Sequence, residues 1–217
     1  MTNNSALSNA TCYNGGNLRN AVAPQHSALL SAIVLAGGKS SRMGQDKALL
    51  TVDGVPLLQQ VCQIAAACAE TVYIVTPWLE RYQHLHLPRG NFILEAPVNQ
   101  GPLVGFAQGL TQVQTDWVLL LACDLPKLQV EVLQGWVAQL DNVGEDAIAA
   151  LAHHPKGWEP LCGFYRRRCL PQLLDFINQG GRSFQQWLQQ YSVQVLAVPD
   201  TKMLLNCNTP EDWALMQ

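Results

Sequence analysis

Residues 33–50 read IVLAGGKSSRMGQDKALL, passing from an apolar run through paired glycines into a basic loop. Lys39, Arg42 and Lys47 fall within nine positions of a chain that has 13 Lys and Arg in all. A short apolar run ending in Gly-Gly is the pattern of a buried strand feeding a loop. Gly37 and Gly38 let backbone N–H groups approach an anion where a Cβ would obstruct them. Arg42 offers a fork for two oxygens, and Lys47 a point charge. The stretch therefore predicts a phosphate cradle at the exit of a strand.

Two common phosphate loops do not fit it. A Walker loop ending at Gly38-Lys39-Ser40 would need its first glycine at Ile33, inside the strand. The dinucleotide pattern G-x-G-x-x-G needs glycine where Lys39 or Ser41 stands.

The rest of the chain limits what the cradle serves. A net charge of −3, with 48% apolar and 13% charged residues over 217 positions, describes a well-cored globular protein. It lacks the basic surplus of a nucleic-acid binder. The longest apolar run, Trp117–Cys123, is far short of the roughly 20 residues that span a bilayer. Seven cysteines, an odd number without a Cys-x-x-Cys pair, read as reduced thiols rather than a disulfide or zinc framework. With no basic-then-apolar leader, the expected location is cytoplasmic. None of the five histidines adjoins a strand-end Ser or Cys, which argues against a hydrolase triad.

Residues 1–30, rich in Asn, Ser, Gly and Ala, predict a flexible N-terminal extension, with one domain over 31–217. Strands are expected at 31–36, 71–75, 91–94, 117–122, 147–151, 161–165 and 193–198, with an extended segment over 48–55. Helices are expected at 57–68, 102–113, 130–140, 169–177, 184–190 and 210–216. The early alternation of strand and helix implies an α/β domain, Rossmann-like, with a mostly parallel sheet covered by helices on both faces. Asp124 follows the strand at 117–122, and ligands of such sheets bind beyond the strands' carboxyl ends. Asp124 is thus either a turn residue or a carboxylate that holds Mg²⁺ together with phosphate oxygens. The neighbouring loop favours the second reading.

The segment Leu35–Lys47 resembles the L-A-G-G-x-S-x-R-M-G-x-D-K signature of molybdenum cofactor guanylyltransferases, a branch of the nucleotidyltransferases. Related cytidylyltransferases and sugar-nucleotide pyrophosphorylases commonly carry Ala at the position of Gly37. Four further segments follow in the family's order: Gly101-Pro102-Leu103-Val104-Gly105, Cys123-Asp124-Leu125-Pro126, Gly181-Arg182-Ser183 and Asn206-Cys207-Asn208-Thr209-Pro210. The resemblance covers residues 31–217 and implies a nucleotide-diphospho-sugar-transferase-like fold. It implies nucleotide binding by Leu35, Ala36, Gly37, Gly38, Lys47, Gly101, Gly105 and Asp124, and catalysis by Arg42, Lys47 and Asp124. Asp124 would carry Mg²⁺, while Arg182, Asn206 and Asn208 would face the pterin or its phosphate. GTP and molybdopterin are the implied substrates, with transient contact to molybdenum-insertion or molybdoenzyme partners.

One position departs from the family pattern. An acid is expected after the strand at 91–94, where Ala96 stands. Glu95 precedes it, and its side chain would point to the other face if the strand continued. No residue pair in the sequence forces guanine over cytosine. A cytidylyl- or sugar-nucleotide transferase, or a non-catalytic nucleotide- or cofactor-binding protein, are the alternative readings.

Overall fold

A computed structural model describes residues 30–37 and 46–207. The expectations for residues 1–29, for Gly38 and Arg42 in the loop, for Asn208 and for the helix at 210–216 lie outside the described residues.

The architecture follows from alternation along strand β1 (Leu30–Leu35). Ala32 and Val34 point into one hydrophobic layer and Ile33 into the other, all fully buried. Only a strand covered on both faces needs apolar residues in both directions. The first layer holds helix α1 (Leu57–Cys68) through Leu58, Val61 and Cys62. The second holds α3 (Pro102–Gln112) through Leu103, Phe106 and Leu110. A four-residue helix α2 (Leu79–Tyr82) lies between them in sequence. Helix α4 (Val130–Val137) joins the α1 layer; α5 (Leu170–Asn178) and α6 (Phe184–Leu188) join the α3 layer.

A small hairpin, β2 (Thr51–Val52) and β3 (Val55–Pro56), precedes α1 and is pinned to it by Gln60, whose amide donates to both Val52 O and Val55 O. The main sheet adds β4 (Thr71–Thr76), β5 (Gly90–Leu94), β6 (Trp117–Ala122), β7 (Ala149–His154), β8 (Gly157–Arg166) and β9 (Val193–Leu196). Its seven strands run in the order β5-β4-β1-β6-β8-β7-β9. β8 alone runs against its neighbours β6 and β7, so the sheet is mostly parallel. The chain winds from β1 toward β5 and then crosses to β6, making the β1/β6 boundary the point where strand order reverses. Crevices at such points receive ligands.

Several boundaries differ from the expected ones. The segment expected to be extended over 48–55 begins instead with a 3-10 turn at Lys47–Leu49, capped by the Asp46 side chain. Helix α4 ends at Val137 rather than residue 140. The strands expected at 147–151 and 161–165 reach toward each other, to His154 and Gly157, and form a hairpin too short for anything but reversal. Their polar tips carry no hydrophobic period, so the extension was invisible in the sequence. Arg166, at the end of β8, donates to Asp116 at 2.7 Å and stacks over the Trp117 ring at 4.3 Å.

Phe106 ties α3 to the sheet and to α6, with ring centroids 4.7 Å from Tyr165 and 5.8 Å from Phe184. Phe106→Ala is expected to cost about 3–5 kcal/mol, read as a lower urea midpoint with an unchanged denaturant slope.

Candidate active site

The strand pairing carries two loops to one place. β1 and β6 pair in register from Leu30↔Trp117 to Leu35↔Ala122, and Cys123 N–H extends the ladder onto Leu35 O at 3.1 Å. Gly37 and Asp124 therefore leave the sheet side by side. Beyond them lies a cavity of about 450 Å³, whose wall includes Gly37, Lys47, Glu95, Gly101, Gly105 and Asp124. Leu35 and Ala36 line it as well.

Lys47 Nζ stands 3.4 Å from Asp124 Oδ2, and each side chain is less than one-fifth exposed. The two predicted charges, 77 positions apart, thus share one cavity. Lys47 is placed by its neighbour. Asp46 accepts from Ala48 N–H at 3.2 Å, from the Tyr82 hydroxyl at 2.7 Å and from Arg81 at 3.4 Å. Tyr82 is fully buried. Burial first, and the Asp46 carboxylate second, push its hydroxyl well above the usual phenol range, so it stays a donor. Arg81 is held in turn over the Trp78 ring, 4.6 Å away. Sequence reasoning missed Tyr82, because a tyrosine in a four-residue helix carries no pattern of its own.

The glycines divide by cause. Gly101 caps α3 with φ of 91°, a left-handed conformation that favours glycine. Gly37 has a steric reason: a Cβ there would collide with a Glu95 carboxylate oxygen and lie 3.3 Å from Pro77 Cδ. Gly105 is less constrained, since a Cβ there would meet Leu35 and Val75 at ordinary contact distances of 3.6 and 3.7 Å.

Glu95 turns inward as the strand alternation continues one residue past Leu94, its N–H extending the ladder onto Thr76 O at 2.9 Å. It is 7% exposed, whereas Leu94 before it is 61% exposed. Ala96, where the acid was expected, is exposed and is pinned to α3 by Gln108, whose amide donates to Ala96 O and whose carbonyl accepts from Ala96 N–H. Burial raises the Glu95 carboxyl above its ordinary value of 4.5.

Of the remaining predicted residues, Arg182 and Asn206 are described, and neither is part of the described cavity wall. Arg182 is exposed and donates to Ile177 O at 2.9 Å and Gly181 O at 2.7 Å. Asn206 is half-buried, and its neighbour Cys207 donates its N–H to Asp124 O at 3.1 Å, which ties that segment behind the acid. His153 packs edge-on against Trp158, and His154 pairs with Glu159. Cys62, Cys68, Cys123, Cys162 and Cys169 form no disulfide. Burial raises the Cys62 thiol to about 12 and the Cys68 thiol to about 11, so both are inert.

Asp46, Glu95 and Asp124 make the described wall acidic, against one cation, Lys47. Among the described residues no three His, Cys, Asp or Glu side chains group into a self-sufficient metal cage. A hard divalent cation would have to share Asp124 with oxygens of a ligand, which is how Mg²⁺ is commonly held beside phosphates.

A parallel sheet that reverses at β1/β6, with a glycine exit, a lysine and a strand-end aspartate around one cavity, defines a nucleotidyltransferase domain. Residues 32–195 match the family model described as MobA-like NTP transferase domain. The chain is 74% identical over 188 residues to a Nostoc sp. protein named "Probable molybdenum cofactor guanylyltransferase", covering 87% of this chain and 90% of that one. A protein of the same name from Synechococcus elongatus is 47% identical over 189 residues, covering 86% and 97%. The chain belongs to the molybdenum cofactor guanylyltransferase family. Its fold is shared by the crystal structure of molybdopterin-guanine dinucleotide biosynthesis protein A from Archaeoglobus fulgidus, with a TM-score of 0.71 at 22% identity, covering 85% and 95%.

A buried carboxyl whose folded value is raised adds stability only while protonated, and that contribution is lost as pH rises through the raised value. Ionised Glu95 therefore destabilises the ligand-free protein at neutral pH. Glu95→Gln is expected to raise the thermal midpoint at pH 7, with the gain shrinking as pH falls toward the ordinary carboxyl value of 4.5. Thermal melts of both proteins across that range check it.

Proposed function

We propose that the protein transfers GMP from GTP to molybdenum-bearing molybdopterin, forming molybdopterin guanine dinucleotide and pyrophosphate. The approach of Lys47 to Asp124 within the cavity carries this reading, and the names of its close relatives support it. The acceptor's phosphate oxygen attacks the α-phosphorus and pyrophosphate leaves in line. That nucleophile is already an anion, so no side chain need take a proton, in keeping with the His153 and His154 contacts, which are structural. The obstacle is bringing one anion to another. Lys47, held by the Asp46–Tyr82 pair, offers positive charge to the transferring phosphates. The loop from Gly37 through Gly38 to Arg42 supplies amides and a guanidinium, Leu35 and Ala36 contribute backbone at the strand exit, and Gly101 and Gly105 leave room for the nucleoside. Asp124 would hold Mg²⁺ jointly with phosphate oxygens. Bound Mg²⁺ supplies neutralisation of the triphosphate charge and its orientation for in-line displacement.

Arg182, Asn206 and Asn208 serve the pterin side; Cys207, next to Asn206, is tied to Asp124 O through its N–H, which supports that assignment. One domain over residues 31–217 performs the reaction, in the cytoplasm. The thiols of Cys62, Cys162 and Cys169, buried and outside any disulfide, suit a reducing compartment, and no described helix is long and apolar enough to cross a membrane. The product then passes to molybdenum-insertion or molybdoenzyme partners.

Incubation with molybdenum-loaded molybdopterin, Mg²⁺ and either GTP or CTP, followed by mass spectrometry, is expected to yield the guanine dinucleotide and pyrophosphate. A cytosine product would overturn the reading. Asp124→Asn and Lys47→Ala are each expected to lower turnover at least about 100-fold while nucleotide still binds. Unchanged turnover would remove either residue from the mechanism.

A further inference from the structure

We propose that Tyr82 is a positioning residue for the transfer reaction: its hydroxyl, acting through Asp46, fixes the turn that aims Lys47 at the transferring phosphates. This inference rests on the nucleotidyl-transfer reading above and deepens it.

The first observation is how that turn is held. Lys47–Leu49 is one turn of 3-10 helix, and a turn so short has no stability of its own. Its buried residue is Ala48, whose single methyl gives the core little grip. Asp46, at the N-cap, uses its two carboxylate oxygens differently. Oδ1 accepts from Ala48 N–H at 3.2 Å and closes the turn, while Oδ2 accepts from the Tyr82 hydroxyl at 2.7 Å. One carboxylate thus bridges the turn to α2. Arg81 also reaches Oδ2, at 3.4 Å, but its side chain is 53% exposed, and an ion pair so open to water holds little. The Tyr82 bond is short, charge-assisted and sheltered, and such bonds fix geometry.

The second observation is that the anchor does not move. Tyr82 is fully buried in the α1 layer. A phenylalanine would fill the same space without a polar atom to satisfy, so packing alone does not call for the hydroxyl. Its use is the bond to Asp46, and burial together with that carboxylate keeps the hydroxyl protonated. The segment entering α2 is fixed as well: Trp78 N–H donates to Thr76 Oγ1, at the end of β4, at 3.1 Å. Asp46 is therefore tied, through Tyr82, to the main sheet.

The third observation is the charge on the wall. Asp46, Glu95 and Asp124 all border the cavity, and Lys47 has to serve phosphate among them. Donors on Asp46 Oδ2 disperse its charge, so that it competes less for the neighbouring ammonium. Lys47 Nζ then stands 3.4 Å from Asp124, where the triphosphate is proposed to lie. Without the hydroxyl the turn is free to rock, and Asp46 draws the ammonium back. A displacement of about 1 Å at a reacting centre can cost roughly 100-fold in rate.

The test compares the full-length native protein with Tyr82→Phe, Lys47→Ala and the double variant. Single-turnover pyrophosphate release is followed with GTP, Mg²⁺ and molybdenum-loaded molybdopterin, and GTP binding is measured by calorimetry without the acceptor. Phe keeps the ring and loses the hydroxyl. Tyr82→Phe is expected to slow transfer about tenfold, the loss typical of one hydrogen bond to a charged group. GTP affinity should stay within about twofold, because the loss falls on the transition state. In the Lys47→Ala background the same change should slow transfer less than about twofold, since the group through which it acts is gone. Asp46→Asn keeps an acceptor for Ala48 N–H and weakens the Tyr82 bond, so it should reproduce the loss; it carries the same comparison if Tyr82→Phe does not melt cooperatively. An unchanged rate in folded Tyr82→Phe would overturn the assignment. So would an undiminished loss in the Lys47→Ala background, which would make the effect a general structural one. A GTP affinity that falls in step with the rate would make Tyr82 a ligand contact and overturn it too. If the native protein releases no pyrophosphate from either GTP or CTP, it is the transferase reading itself that falls.

Discussion

The in-register pairing of β1 with β6 is the constraint on which the site depends. Both strands are buried from both sides, and a slip of one residue would send Ile33 and Val34 into each other's layers. Register is therefore held by the whole core rather than by any group in the cavity. Because it is held, the glycine exit of one strand and the acid at the end of the other leave the sheet together. Lys47 and Asp124 meet at 3.4 Å as a consequence of hydrophobic packing on either side of them. Chemistry at this edge inherits its precision from apolar contacts that never touch a ligand.

The charge balance around the cavity sharpens the reading of the basic loop. The loop's cations suggest a pocket that is positive throughout, yet the described wall carries three carboxylates against Lys47. Each acid has a distinct setting. Asp46 is engaged by Tyr82 and Arg81 and acts on the turn that presents Lys47. Asp124 faces Lys47 at the strand end. Glu95 is buried, with its carboxyl raised by that burial. Similar carboxylates are thus placed in three different environments around one cavity. Gly37 also changes meaning: beyond any approach of a phosphate, its missing side chain makes room for Glu95.

Most of the architecture was legible in the sequence, because strands buried on both faces and helices with one apolar stripe write their periods locally. The runs at Leu30–Leu35 and Trp117–Ala122, the helix at Leu57–Cys68 and the Pro-led start of the helix at 102 appear where those periods place them. Lys47 and Asp124 were legible too, since a basic loop and a lone acid at strand exits advertise a ligand. The β7–β8 hairpin was not, for its tip is held by backbone pairing between polar residues. Nor was the role of Arg166, whose partners Asp116 and Trp117 lie about fifty positions away.

The amino-acid sequence alone determined the order of elements, the two-sided burial of the sheet and the identity of the central charged pair, all of which depend on patterns within a few residues. Tertiary structure decided which acid faces the cavity. Glu95 rather than the position after it turns inward, its N–H still paired with Thr76 O of β4, and its carboxylate fits because Gly37, two strands away, has no side chain. It also decided that Tyr82 steadies Asp46 across 36 positions. Contacts between segments distant in the chain obey packing and register, and neither is written in the local spacing of residues.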